Sequence, residues 1–192
     1  MKTKDVVFLC QFFYPEYITS ALLPFQTATY LAGKGMSVTA ICGYPKEYLK
    51  DGGNVPKNEV VDNINIKRIK YLQLERGNMF YRMINYLSFV LMMFLQLPEI
   101  GKHRLVVVYS NPPILPLIAL LAKKIYKTKI VFVSYDVYPE IAIETQILSK
   151  KSISTKFMSW LNSRFFKLTD LVIALSNEMR IKLINLRPIS SE

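Results

Sequence analysis

Short blocks of β-branched and aromatic residues recur along the chain, separated by stretches in which apolar residues fall three or four apart. Residues 5–10, 37–42, 105–109, 130–134 and 171–174 form the first kind of block and read as strands. Residues 130–133 show no polar alternation, which predicts a strand buried on both faces, as in a parallel sheet. A further short strand is predicted over 65–70. Residues 21–31 carry Leu22, Phe25, Ala28 and Leu31 as a helical stripe, and Gly33 and Gly35 end it. Helices are also predicted over 78–97, with Arg76 and Arg82 at its start and Pro98 after it, and over 115–126. A strong amphipathic helix over 153–168 presents Ile153, Phe157, Trp160, Leu161, Phe165 and Leu168. Ser176 is placed to cap a last helix, with Glu178 in its first turn and Met179, Leu183 and Leu186 toward the core, until Pro188 ends the pattern. The polar stretch 48–63, with Asp51-Gly52-Gly53-Asn54, reads as a flexible excursion.

About six strands alternating with helices specify a doubly wound α/β domain, a mostly parallel sheet with helices on both faces. Ligands of such sheets bind outside the carboxyl ends of the strands. Three strand-end turns are therefore brought to one rim: Tyr14-Pro15-Glu16, Ser110-Asn111-Pro112-Pro113 and Tyr135-Asp136-Val137-Tyr138-Pro139-Glu140. They offer carboxylates, hydroxyls and aromatic faces, a set suited to a sugar. Ordinary turn chemistry explains any one of them alone, and the three in concert favour function.

The charge balance narrows the partners. There are 25 Lys and Arg against 14 Asp and Glu, a net charge of +11, with a pI near 9.6. A field of that sign favours anionic partners. Hydrophobic residues make up 51%, which excludes a disordered chain. Cys10 and Cys42 each end an apolar run and read as buried reduced thiols of a cytosolic protein. With His103 the only histidine, multi-histidine metal sites are excluded, and the expected metal set is none. No G-x-G-x-x-G, P-loop, G-x-S-x-G, H-E-x-x-H or C-x-x-C occurs. The polar start, residues 1–5, shows no secretory pattern. The apolar tract 84–97 is shorter than the ~20 residues of a spanning helix.

Tyr14-Pro15-Glu16 with the helix and strand that follow, the Ser110-Asn111-Pro112-Pro113 turn, Asp136-Val137-Tyr138-Pro139-Glu140 and the closing 171–176 together resemble family 4 glycosyltransferases of the GT-B fold, in their bacterial polysaccharide branch. The resemblance spans nearly the whole chain and implies the Rossmann-like N-terminal, acceptor-side domain of such an enzyme. Residues 1–186 would form that domain and 187–192 the tail or start of a linker. The C-terminal donor domain, with its Arg/Lys pair and E-x(7)-E motif, would be absent. The full enzyme would transfer a sugar, with retention and without cofactor or metal, from a nucleotide-sugar to a lipid-linked or glycan acceptor of capsule or O-antigen type. The isolated chain would be inactive.

By resemblance, Asp136 is the candidate catalytic residue, contacting the acceptor hydroxyl or orienting the sugar. Tyr14, Pro15, Glu16, Ser110, Asn111, Tyr135, Tyr138 and Glu140 are candidates for acceptor binding. Thr19 and Ser20 stand where a donor phosphate approaches, in place of the glycine usual in the family, and Tyr135 replaces a common histidine. The implied location is cytoplasmic, at the inner face of the cell membrane. Residues 79–94 are apolar on nearly every side, so that helix is either core or a bilayer contact beside Arg76, Arg82, Lys102 and Arg104. Lys123 to Lys129 form a second basic run. The alternative is a non-catalytic subunit that recruits a separate donor partner to an anionic membrane. A nucleic-acid-binding role lacks any supporting motif.

Overall fold

A computed structural model describes residues 3–46, 49, 55–75, 77–146 and 149–187. The 51–54 turn, Tyr48, Arg76 and the tail from Pro188 lie outside the described residues.

The chain builds one seven-stranded sheet in the order β3-β4-β2-β1-β5-β6-β7. In sequence these are β1 (Lys4–Cys10), β2 (Val38–Gly43), β3 (Asn58–Val61), β4 (Ile64–Ile69), β5 (His103–Tyr109), β6 (Lys129–Ser134) and β7 (Leu171–Ala174). All neighbours pair in parallel except β3 with β4. The helices are α1 (Thr19–Gly33), α2 (Met79–Phe94), α3 (Leu97–Ile100), α4 (Pro116–Tyr126), α5 (Glu140–Glu144), α6 (Ile153–Leu168) and α7 (Asn177–Leu186). The expected doubly wound α/β fold is what forms. From the centre the chain steps through β1, β2 and β4 toward one edge, then through β5, β6 and β7 toward the other, so the strand order reverses at the β1–β5 seam.

Two cores follow. On one face Val7, Leu9, Val106, Val108, Ile130 and Phe132 meet α2, α3, α4, α6 and α7 through residues such as Phe89, Met93, Ile118, Ala122, Phe165 and Leu183. On the other, Val6, Phe8, Cys10, Ala40 and Cys42 meet α1. That single helix leaves the β6–β7 end of its face thinly covered.

Several expectations change. The excursion at 48–63 contains a strand, β3, hidden because Asn-Glu-Val-Val is short, half exposed and on an edge. Strand β6 is not buried on both faces: Ile130, Phe132 and Ser134 are buried while Val131 and Val133 are only half-buried, since α1 does not extend over them. The buried face of α1 is Ala21, Pro24, Ala28 and Ala32, with Leu22 turned outward, because small residues let the helix lie close on the sheet. In α6 only Leu161 and Phe165 of the stripe are buried, joined by Phe166, while Ile153, Phe157, Trp160 and Leu168 face solvent. Leu186 of α7 is exposed as well. The helix expected over 78–97 ends at Phe94, and Leu97 and Pro98 begin a separate turn, α3.

Other signals hold. Gly35 adopts φ +83 after α1, the left-handed stop that glycine permits. Ser176 Oγ accepts from the Met179 N–H at 3.2 Å and caps α7. Both cysteines are buried free thiols, register partners across β1 and β2, and burial pushes Cys42 up to about 12. His103 is buried at the opposite edge of the sheet from the turns, its Nε2 2.9 Å from Thr39 Oγ1 and its Nδ1 3.0 Å from the Glu99 carbonyl. Burial lowers its pKa, so it stays a neutral structural group.

Candidate functional site

Strands β1, β5 and β6 are consecutive and parallel, so the three turns leave the sheet from one edge. Each contains a cis X-Pro bond: Tyr14-Pro15, Asn111-Pro112 and Tyr138-Pro139.

The second and third turns are tied directly. Ser110 is buried, and its Oγ accepts from the Tyr135 N–H at 2.9 Å and the Asp136 N–H at 3.2 Å. Ser110 is thereby a brace that aims Asp136. Ser134 Oγ donates to the Asp136 carbonyl at 3.1 Å and closes the turn from below. Asn111, half-buried, follows at the same edge.

The Asp136 side chain lies between two hollows. One holds about 10 Å³, room for roughly one water, and is walled by Ser110, Pro113, Ser134, Tyr138 and Arg187. The other is an open cleft of about 230 Å³ walled by Tyr135, Ile141, Glu144, Glu178, Met179 and Lys182. Burial raises the Asp136 carboxyl above the ordinary carboxylate value. Burial first, then Asp136 and Tyr86, pushes the Tyr138 phenol up to about 12, with Arg82 opposing. Arg82 and Tyr86 of α2 thus stand within electrostatic reach of this turn. Tyr135 rests against Tyr109, ring centroids 5.2 Å apart, and its buried hydroxyl has no hydrogen-bond partner among the described residues.

The Tyr-Pro-Glu sequence occurs in both the first and third turns, and each copy is gripped by an arginine that sequence reasoning did not single out. Arg68, fully buried at the end of β4, donates Nη2 to the Tyr14 carbonyl at 2.7 Å and Nη1 to the Pro56 carbonyl at 2.8 Å, and pairs with Glu59 of β3. Arg187, just after α7, donates Nη2 to the Tyr138 carbonyl at 2.7 Å and pairs with Glu140. Asn162 Nδ2 donates to the same Tyr138 carbonyl at 2.5 Å. Such partners are backbone oxygens far away in sequence, so no local pattern announces them. A lone arginine inside the 65–70 strand was the one available signal.

The other candidates take separate places. Glu16 is buried in its own turn, with Oε2 3.4 Å from the Phe13 N–H. Tyr14 is exposed and stacks on Phe25 of α1 at 4.9 Å. Pro15 is half-buried beside it. These three border neither hollow. Glu140 is engaged by Arg187. Thr19 and Ser20 open α1, whose first turn has neither a side-chain cap nor an acidic residue, leaving the positive end of the helix uncompensated. Among the described residues no group of three or more His, Cys, Asp or Glu could hold a metal ion, and no helix is long and apolar enough to cross a membrane.

A sequence model described as Glycosyltransferase Family 4 matches residues 25–192. No match was found in the search of curated proteins. The fold is similar to sucrose-phosphate synthase of Thermosynechococcus elongatus, with TM-score 0.62 and 12% identity over 95% of this chain and 45% of that one. It is also similar to Anabaena HepE in complex with UDP-glucose, with TM-score 0.53 and 12% identity over 95% of this chain and 40% of that one. The chain therefore spans less than half the length of these solved structures.

Proposed function

Because the chain belongs to glycosyltransferase family 4, we propose that it is the acceptor-binding half of a retaining enzyme that moves a sugar from a nucleotide-sugar to a lipid-linked or glycan acceptor in surface-polysaccharide assembly, of capsule or O-antigen type. The observation that carries this reading is the Asp136 carboxylate held between two hollows on an edge shared by three turns. Ionised, it accepts from an acceptor hydroxyl, in a turn whose backbone is already fixed by Ser110, Asn162 and Arg187. Tyr135 and Tyr138 border the two hollows and supply flat faces for ring C–H groups. Thr19 and Ser20, at the open end of α1, suit a donor phosphate. HepE was crystallised with UDP-glucose, which supports a nucleotide-sugar as the donor class. A cleft of about 230 Å³ is smaller than the roughly 300–1,000 Å³ of an enclosing ligand pocket, as fits one wall of a site completed by a second domain. The enzyme acts from the cytoplasm, peripheral to the inner face of the membrane.

Titration calorimetry with a detergent-solubilised polyprenyl-pyrophosphate sugar tests the assignment. Binding is expected for the chain alone, with a loss of about tenfold or more in Asp136→Ala, since a hydrogen bond to a charged group contributes ~1.5–3 kcal/mol. No turnover is expected with any nucleotide-sugar. Turnover by these 192 residues, or acceptor affinity indifferent to Asp136, refutes it.

A further inference from the structure

Helices α2, α4 and α6 lie side by side over one face of the sheet, with α4 touching both neighbours. Their inward residues form the larger core. Their outward residues are also apolar, which a soluble layer does not require. On α2, Phe80, Leu87, Leu91 and Phe94 point away from the buried Phe89 and Met93, and Phe80 and Leu91 are 64% and 63% exposed. On α6, Ile153 and Trp160 are 87% and 57% exposed. Single exposed apolar residues are ordinary; rows of them on adjacent helices mark an interaction surface.

The charge on this layer is one-sided. The three helices contain Arg82, Lys123, Lys124, Lys156, Arg164 and Lys167 and no acidic residue. Lys123 is held by Asp170 at 2.6 Å. Arg82, Lys124, Lys156 and Lys167 make no ion pair among the described residues, and the Arg164 guanidinium sits 5.9 Å over the Trp160 ring. None of the fourteen acids of the sequence falls within these three helices.

We infer that the outer surface of α2, α4 and α6 lies on an anionic lipid bilayer, with the apolar rows entering the interface and the cations meeting headgroup phosphates. Amphipathic helices with aromatic and aliphatic faces and basic flanks bind membranes in this manner. A second copy of the chain fits poorly, since a symmetric contact would oppose cations to cations. The start of α2 carries Arg82 and Tyr86 to the Tyr138 turn, so the bilayer surface would adjoin the edge where the acceptor is proposed to bind. The orientation rests on the acceptor reading; the lipid contact itself does not.

Trp160 is the only tryptophan and lies in the surface concerned. Its emission is expected to shift to shorter wavelength on adding phosphatidylcholine vesicles containing phosphatidylglycerol. Brominated phosphatidylcholine in those vesicles is expected to quench it, and high salt to reverse the shift. Lys124→Glu with Lys156→Glu and Lys167→Glu should weaken partitioning on the order of a hundredfold. Leu87→Ser with Leu91→Ser should weaken it as well, with circular dichroism and melting unchanged in both. No shift with either vesicle type, an equal shift with phosphatidylcholine alone, or a shift that grows with protein concentration in the absence of lipid overturns the inference. These vesicles contain neither acceptor nor nucleotide-sugar, so the outcome is independent of the acceptor titration.

Discussion

Tyr135 carries a buried hydroxyl that the fold leaves without a partner among the described residues. A polar group kept that way lowers stability, by about 1–3 kcal/mol for a typical case. Tyr135→Phe is therefore expected to raise the unfolding free energy by about 1 kcal/mol in urea titration. Asp136 and Tyr135 were legible in the sequence because the run before them ends so sharply in polar residues and a proline. The residues that hold them were not. Ser110 read as a ligand contact, but its hydroxyl is used by two backbone N–H groups. Arg187 stands at the boundary drawn between domain and tail, yet its guanidinium is nearly buried against the third turn.

At the scale of elements, β3 and β4 form more than an edge. They carry Glu59 and Arg68, whose pairing fixes the carbonyl of Tyr14 and so the exit from β1. Arg68→Ala would leave the Glu59 carboxylate and two carbonyls without their donor. A loss of roughly 3–5 kcal/mol is expected by chemical denaturation, the range for breaking a buried ion pair from one side. Glu59→Gln should lose less, because the arginine keeps both carbonyls. Parallel strands were easy to read because Val, Ile and Phe runs have few other uses. The helices were harder. Periodicity finds an apolar stripe but not which stripe is covered: α1 buries alanines and turns Leu22 out, and α6 buries Phe165 and Phe166 and leaves Trp160 exposed. Both helices have apolar residues on more than one side, so the neighbouring elements decide.

Across the whole molecule, two carboxyl groups at opposite edges of the sheet pull stability against pH in opposite directions. Lys102 and Lys4 hold Glu99 down to about 2. The stability this contributes is full above the usual glutamate value of 4.5 and is lost as pH falls through about 2. Asp136, raised by burial, behaves the other way: its contribution is full below the usual 3.8 and is lost as pH rises through its higher folded value. Melting temperatures followed from neutral pH downward should show both. Glu99→Gln is expected to flatten the acid side below pH 4.5, and Asp136→Asn to melt higher than the native chain at neutral pH. The doubly wound topology was legible as a whole. The unequal clothing of the sheet, with α1 on one face and α2, α3, α4, α6 and α7 on the other among the described residues, was not, since it depends on which way each crossover passes.

The seam between β1 and β5 sets a timetable for synthesis. Val6 pairs with Leu105 and Leu9 with Val108, so β1 gains its second neighbour only after roughly a hundred further residues have been made. At translation speeds of about 5–20 residues per second, that is a wait of roughly 5–20 s. Throughout it, one side of a strand whose last five residues are all apolar is an unpaired template for any other extended chain. A nascent-chain binding chaperone has its clearest target there, on the segment that later becomes the middle of the sheet.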